Sequence, residues 1–271
     1  MATNIASWFT KLFKKEKSTI EFYNFQSFHP EESWPIIPTS EVKMPWLQAQ
    51  KDKYIKRKEA SANKKPDWVT GTHMCSGIVE LMRTGYVLRA YTDIYIETKG
   101  DGVTFTHDVS EFIKQTGAPA VSHFPPSLFT DDVKTPPNTL KTIIKINCPW
   151  RVKMPAGWGL LMLPLQYVNE ERFTAASGFI NPEDSNEINC ILYWHKLAGS
   201  TIITAGTPLC MMVPVPLEVN KKFELINRQG TQEESKVERI TSFALHNGFE
   251  KNRQLINKIR KKFLPTITGS K

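Results

Sequence analysis

The chain predicts a β-rich α+β fold: a compact antiparallel β-sandwich core with an N-terminal arm and C-terminal helices. Three observations predict it. Between Cys148 and Pro216, short apolar runs are cut at regular intervals by Pro155-Ala156-Gly157, Asn181-Pro182-Glu183-Asp184, Ala198-Gly199-Ser200 and Ala205-Gly206-Thr207-Pro208, which is the rhythm of successive short strands. Residues 18–50 interleave aromatics with prolines, a composition that cannot continue a helix. After Pro216 the apolar spacing becomes helical. The expected organisation is an arm and basic segment over 1–65, a β-rich core over 66–217 and a helical basic extension over 218–271.

In chain order, residues 1–17 have Trp8, Phe9, Leu12 and Phe13 at helical spacing, followed by lysines, which predicts a short amphipathic docking helix. A membrane-surface helix has the same pattern, but this one is short for that role. The run Ile20 to Phe25 reads as a strand. Trp34-Pro35-Ile36-Ile37-Pro38 and Met44-Pro45-Trp46 read as an extended arm lying over a core. Residues 47–65 form a basic helical stretch with few core positions. Ser76 to Arg83 reads as a short helix stopped at Gly85, and Tyr86 to Thr98 as one strand. Gly100-Asp101-Gly102 turns the chain into Val103 to Thr106. Residues 115–139 read as a Pro-rich ordered loop, and Lys141 to Asn147 opens the main β unit. The residues expected to share its interior are Trp158, Leu160, Met162, Phe179, Ile180, Ile191, Tyr193, Ile203, Leu209 and Met211. In the C-terminal region, Val237, Ile240, Ala244 and Leu245 form one apolar stripe. Leu255, Ile256, Ile259 and Phe263 form a second, on a helix that also carries Arg260, Lys261 and Lys262.

The chain has 271 residues, 40% of them hydrophobic, enough for a substantial core. No stretch approaches the ~18 apolar residues of a membrane span. No long apolar segment opens the chain, so a soluble intracellular protein is the expectation. The four cysteines are widely separated, with no His at metal-ligand spacing, so free and mostly buried thiols are expected rather than a zinc site. The net charge of +8 is concentrated: residues 11–17 carry +3, residues 51–65 carry +5 and residues 246–271 carry +6, which leaves a mildly acidic body. Basic appendages on an acidic body suit a polyanion or an acidic protein surface. Solvated tails without a partner have the same composition.

Few residues point to chemistry. Gly157-Trp158-Gly159 is a lone glycine pair, better explained by close backbone packing than by a phosphate loop, and neither GxxxxGK nor GxGxxG occurs anywhere. His195, in Tyr193-Trp194-His195, reads as a packed, hydrogen-bonded side chain at a strand end. His73 lies beside Cys75, but no oxyanion turn follows to support a Cys/His nucleophile. The basic C-terminal helix suits nucleic-acid backbone contact or docking in a partner's groove, and it lacks the aromatic interleaving of a base-stacking surface.

Two resemblances rest on specific phrases. Gly178-Phe179-Ile180-Asn181 and Ile202-Ile203-Thr204-Ala205-Gly206-Thr207-Pro208-Leu209 resemble the β-clip folds of trimeric dUTP pyrophosphatases and dCTP deaminases. In those enzymes a hairpin carries Gly-Leu-Ile-Asp, followed by a Tyr. Here the Asp position is Asn181, no Tyr follows in residues 182–187, and the Gly-rich C-terminal phosphate arm has no counterpart. The resemblance therefore implies a β-clip core without hydrolase chemistry, because an amide is no general base. More widely, Pro35-Ile36-Ile37-Pro38, Cys75 to Met82, Pro155-Ala156-Gly157-Trp158, Ser177 to Asn181, Trp194-His195 and Ala205 to Leu209 resemble an uncharacterised family found in tailed phages, notably T4-like phages of marine bacteria, and in some bacteria. That resemblance implies a non-enzymatic virion structural or docking protein, assembled in the host cytoplasm in many copies. Its partners would be other virion proteins, with nonspecific nucleic-acid contact through the basic tails and no cofactor or metal. The partner-binding residues would be Trp8, Phe9, Leu12, Phe13, Leu255, Ile256, Ile259, Arg260, Lys261, Lys262 and Phe263. The alternative is a β-clip nucleotide-processing enzyme or its inactive descendant.

Overall fold

A computed structural model describes residues 19–25, 34–60, 75–115, 119–218, 225–246, 254–256 and 258–259. The chain forms two units, residues 1–219 and 220–271. Within the first, strands β1 (Glu21–Asn24) and β2 (Ile37–Pro38) precede helices α1 (Pro45–Ala60) and α2 (Ser76–Arg83). Then follow β3 (Tyr86–Arg89), β4 (Ile94–Lys99), β5 (Phe105–Val109), α3 (Glu111–Gln115) and β6 (Val121–Phe124). The remaining strands are β7 (Ile143–Lys153), β8 (Trp158–Pro164), β9 (Phe173–Ala175), β10 (Gly178–Ile180), β11 (Glu187–Trp194), β12 (Ala198–Ile203) and β13 (Pro208–Pro216). In the second unit, helix α4 spans Gln232–His246. The fold is a β-rich α+β fold with sandwich-like antiparallel sheets, as the strand rhythm predicts.

Three sheets carry the core. The first has the order β1-β7-β11-β9, with β6 also paired to β7. The second has the order β10-β8-β13-β3-β2, and the third β12-β4-β5. From Ile144 onward the side chains of β7 alternate: Ile144, Ile146, Cys148, Trp150 and Val152 are buried, and the residues between them are less so. Leu160, Met162, Leu88, Cys210 and Met212 come from the second sheet and Ile94, Ile96 and Ile203 from the third, all in one contiguous cluster with the β7 residues.

The interior expected along β11 is corrected by one residue. Ile188, Cys190, Leu192 and Trp194 face the core, with Leu192 opposite Ile144. Ile191 lies opposite Lys145 on the other face and is 37% exposed, and Tyr193 lies on that face opposite Thr174. The cause is legible in the strand, Glu-Ile-Asn-Cys-Ile-Leu-Tyr-Trp. Apolar residues occupy both parities of its second half, so alternation alone does not fix the phase, and a one-residue slip exchanges the faces. Trp158 and Phe179 are likewise exposed. Leu160, Met162, Ile203 and Leu209 are buried as expected. Met211 is buried too, but it pairs with Val87 on the face of β13 away from the main cluster.

Two further expectations change. The run Tyr86 to Thr98 is two strands in different sheets. The chain leaves the second sheet at Ala90, whose N–H donates to Thr207 O, and Asp93 Oδ1 then accepts the Ala205 N–H at 2.6 Å before β4 begins. The Pro-rich loop contains β6, which pairs with Ile143–Ile146 of β7. Its four residues are too few for a period to show in sequence.

The arm around Trp34 to Pro38 lies on the second sheet as its prolines predict, whereas Pro45 and Trp46, expected in the same extended arm, open helix α1, where a proline at the first turn costs no hydrogen bond. Ile37 pairs with Val87, the Thr39 N–H donates to Gly85 O, and the Arg89 guanidinium donates to Pro35 O through Nε at 3.1 Å and Nη2 at 2.6 Å. The same guanidinium sits 5.1 Å over the Trp34 ring. Trp34 packs flat on Gly206, where an added Cβ would come within 2.7 Å of its ring carbons and where φ is +84°. Only glycine suits that backbone and that contact. Cys148, Cys190 and Cys210 are buried free thiols, and Cys75 is exposed. The Cys190 thiol is raised well above its ordinary value by its contact with Cys210 and by burial, and burial raises Cys148. None of these buried thiols is set up as a nucleophile.

The parity of β11 is testable by equilibrium unfolding. Leu192→Ala should cost about 2–5 kcal/mol, whereas Ile191→Ala should cost less than about 1 kcal/mol. Gly206→Ala should cost about 1–3 kcal/mol through backbone strain and should shift tryptophan emission as Trp34 is pushed off. Unchanged emission would place Trp34 elsewhere.

Candidate functional site

The turn from β10 to β11, which lie in different sheets, is where the sequence places a hydrolase-like position, and its own side-chain and backbone bonds lock it. Asn181 Oδ1 accepts the Glu183 N–H at 3.1 Å, and its Nδ2 donates to Asp184 Oδ2 at 2.6 Å. The Asn181 carbonyl accepts the N–H groups of Asp184 and Ser185. An Asx side chain folding onto the backbone two residues ahead is the usual way such a residue initiates a turn. Around it, Glu183 Oε1 accepts the Gly157 N–H at 3.1 Å, Glu187 pairs with Arg151 at 2.8 Å, and Asn186 donates to the Tyr23 hydroxyl at 3.0 Å. The acidic tip is thus tied to the turn before β8 and to its neighbours in the first sheet.

The glycine pair beside it is structural. Phe179 lies across Gly159, where an added Cβ would meet the ring at 2.5 Å and the Ile180 carbonyl oxygen at 2.8 Å. The Gly157 N–H is already engaged by Glu183.

His195 is held on both sides. Its Nδ1 is 3.2 Å from the Thr139 hydroxyl and its Nε2 is 2.8 Å from the Thr174 hydroxyl. Its own N–H donates to Arg172 O at 2.8 Å. Burial lowers its pKa. A neutral imidazole donates through one nitrogen and accepts through the other, and two hydroxyls that can each rotate satisfy both. His73 lies outside the described residues.

One pair of imidazoles was not legible in the sequence. His107 on β5 and His123 on β6 both contact the Phe105 ring, with centroid distances of 6.0 Å and 5.9 Å. Burial lowers the His107 pKa and the nearby His123 adds to this, against Asp108, whose carboxylate is held by Lys114. Sixteen positions separate the two histidines, and only the unpredicted β6 brings them together. Among the described residues, no group of three or more His, Cys, Asp or Glu side chains could hold a metal ion. No helix among them is long and apolar enough to cross a membrane.

Of the expected docking residues, Trp8, Phe9, Leu12, Phe13, Arg260, Lys261, Lys262 and Phe263 lie outside the described residues. Ile256 is buried, Ile259 is partly buried and Leu255 is 54% exposed, so this stripe is not uniformly covered. On α4, Val237 is buried and Ile240 is exposed.

No protein-family model matches the chain, and no curated protein does. Among solved structures it bears a weak, dUTPase-like fold resemblance. The native EIAV dUTPase aligns at 11% identity and a TM-score of 0.29, covering 54% of this chain and 87% of that one. A point mutant of the dUTPase from phage phi11 of S. aureus aligns at 10% identity and a TM-score of 0.34, covering 79% and 99%. A dUTPase mutant from Staphylococcus bacteriophage 80alpha, in complex with dUpNHpp, aligns at 10% identity and a TM-score of 0.32, covering 79% and 90%.

Two measurements check the site. Asn181→Ala should lower stability by about 0.5–1.5 kcal/mol, the worth of the turn's side-chain bonds. The pH dependence should follow the lowered imidazoles. For His195 and His107 the unfolded state takes up protons first, so stability should be full above about pH 6.5 and should fall as pH drops through the folded-state values. Unfolding titrations between pH 8 and pH 5 should show that decline, and His195→Gln should flatten part of it. A decline identical in the variant would remove His195 from the account.

Proposed function

We propose that the chain is a non-enzymatic structural or docking protein of a phage particle, present in multiple copies and acting through protein–protein contacts. The observation that carries this reading is Asn181. At the position where the resembling hydrolases keep a catalytic carboxylate, this chain has an amide, and both ends of that amide are engaged in holding a turn. Such a group does not remove a proton near neutral pH, and its bonds to Glu183 and Asp184 hold it in the turn. His195, the other candidate base, has both nitrogens occupied by threonine hydroxyls. The phage assignment rests on the phrase order from Pro35 to Leu209, and the virion location on that assignment. The basic segments around residues 11–17, 51–65 and 246–271 would supply contacts to acidic protein surfaces or packaged nucleic acid.

The competing reading is a β-clip nucleotide-processing enzyme. Purified protein incubated with each deoxynucleoside triphosphate and Mg²⁺ should release neither pyrophosphate nor ammonia, and Asn181→Asp should not create that activity. An antibody against the chain should label purified particles. Turnover abolished by substitutions within residues 178–187 would establish the enzyme instead, and absence of the chain from particles would end the virion reading.

A further inference from the structure

The third sheet meets the first along a seam where, among the described residues, no backbone ladder runs. Strand β5 ends the third sheet and pairs with β4, and β6 pairs with β7 of the first. Side chains span the seam instead. The Phe105 ring of β5 has the His107 imidazole 6.0 Å away on its own strand and the His123 imidazole of β6 at 5.9 Å, edge-on at 87°. Directly opposed residues of an antiparallel pair share a face. His107 lies opposite Ile96 and His123 opposite Ile144, and both isoleucines are fully buried, so both imidazoles stand on the core side of their sheets. Both are nevertheless exposed, which puts them at the rim of the core, within reach of protons from solvent.

The charged groups of the surrounding elements lie on the other face. Asp108 stands opposite Tyr95 and Glu97 opposite Thr106, both away from the core, and Lys114 of α3 engages Asp108 and Glu111. Lys99 pairs with Glu97, and on β7 Lys145 stands opposite Ser122. At His107, burial and then His123 disfavour the charged ring, against a smaller opposing effect of Asp108. Imidazole is the side chain whose charge ordinarily changes in the physiological range, and two imidazolium groups beside one phenyl ring repel each other. We propose that Phe105, His107 and His123 form a proton-operated clasp between the third and first sheets, closed while both imidazoles are neutral and loosened when both carry charge. Loosening removes the rim-side packing of β5, an edge strand, so that β5 opens locally before the β unit unfolds. The clasp holds whether or not the chain is a particle component, since it rests on the seam alone.

The test uses the full chain. Amide hydrogen exchange in β5, corrected for its intrinsic pH dependence, should speed up several-fold as pH falls from about 7.5 to about 5.5, and at a lower opening free energy than that of β11. His107→Gln and His123→Gln should each reduce that acceleration and together abolish it. Both positions are exposed, so the variants should fold. His195→Gln should leave the acceleration of β5 in place. In NMR titrations that resolve the imidazoles, His123→Gln should move the His107 midpoint upward, because a like charge is removed. Exchange of β5 that does not change with pH, or that occurs only together with β11, would overturn the proposal. So would an acceleration that survives in the double variant or disappears in His195→Gln, or a His107 midpoint that does not move.

Discussion

The β unit depends on the burial of one apolar layer between its sheets. Ile144, Ile146, Cys148, Trp150 and Val152 of β7 project into the same cluster as Leu160 and Met162 of β8 and Cys210 and Met212 of β13. The third sheet adds Ile94, Ile96 and Ile203 to the same cluster, and Ile20, Phe22 and Ile36 pack against it. Polar contacts, each modest in net worth, then fix where the attached segments lie. Arg89 and Trp34 hold the arm at the sheet edge, Asp93 and Ala205 hold the link between the second and third sheets, and Glu183 and Gly157 tie down the turn after β10. These contacts specify where segments go. Burial of the layer supplies most of the stability, at about 25 cal/mol per Å² of apolar surface removed from water.

The same constraint shapes the turn at Asn181. A turn between two strands of different sheets must satisfy its own backbone, and Asn181 does so with both ends of its side chain. A carboxylate at that position could accept the Glu183 N–H, but it would face Asp184 across 2.6 Å as a like charge instead of donating to it. The local sequence Asn-Pro-Glu-Asp therefore suits an amide and disfavours the acid. His195 shows the same economy: a base at the end of β11 is used to join Thr139 and Thr174.

Much of this was legible in the sequence where a residue type has one physical use. The strand rhythm from Cys148 to Pro216, the extended arm between prolines, the Gly100-Asp101-Gly102 turn and the packed His195 all follow from such residues. Asp101 caps that turn by accepting the N–H groups of Val103 and Thr104. What was not legible has equally particular causes. The phase of β11 was ambiguous because Ile191 and Tyr193 match its core residues in hydrophobicity. The break at Ala90 was hidden because both halves are rich in strand-forming residues, and the partner that forces it, Ala205, lies 112 positions beyond Asp93. The pairing of His107 with His123 required knowing that β6 exists. The glycine at 206 was visible as a turn, but its role as a seat for Trp34 depends on a contact 172 positions away.

The central claim is that a single inter-sheet layer governs the stability of the β unit and that the arm and the hairpin tip are subsidiary to it. Native-state hydrogen exchange across the full chain tests this most directly. The account predicts that amides in the middles of β7, β8, β11 and β13 share one opening free energy, equal to that of global unfolding. The amides around Thr39 and Asn181 should open at lower free energy. Separate opening of the first and second sheets, with β7 and β11 exchanging independently of β8 and β13, would contradict it.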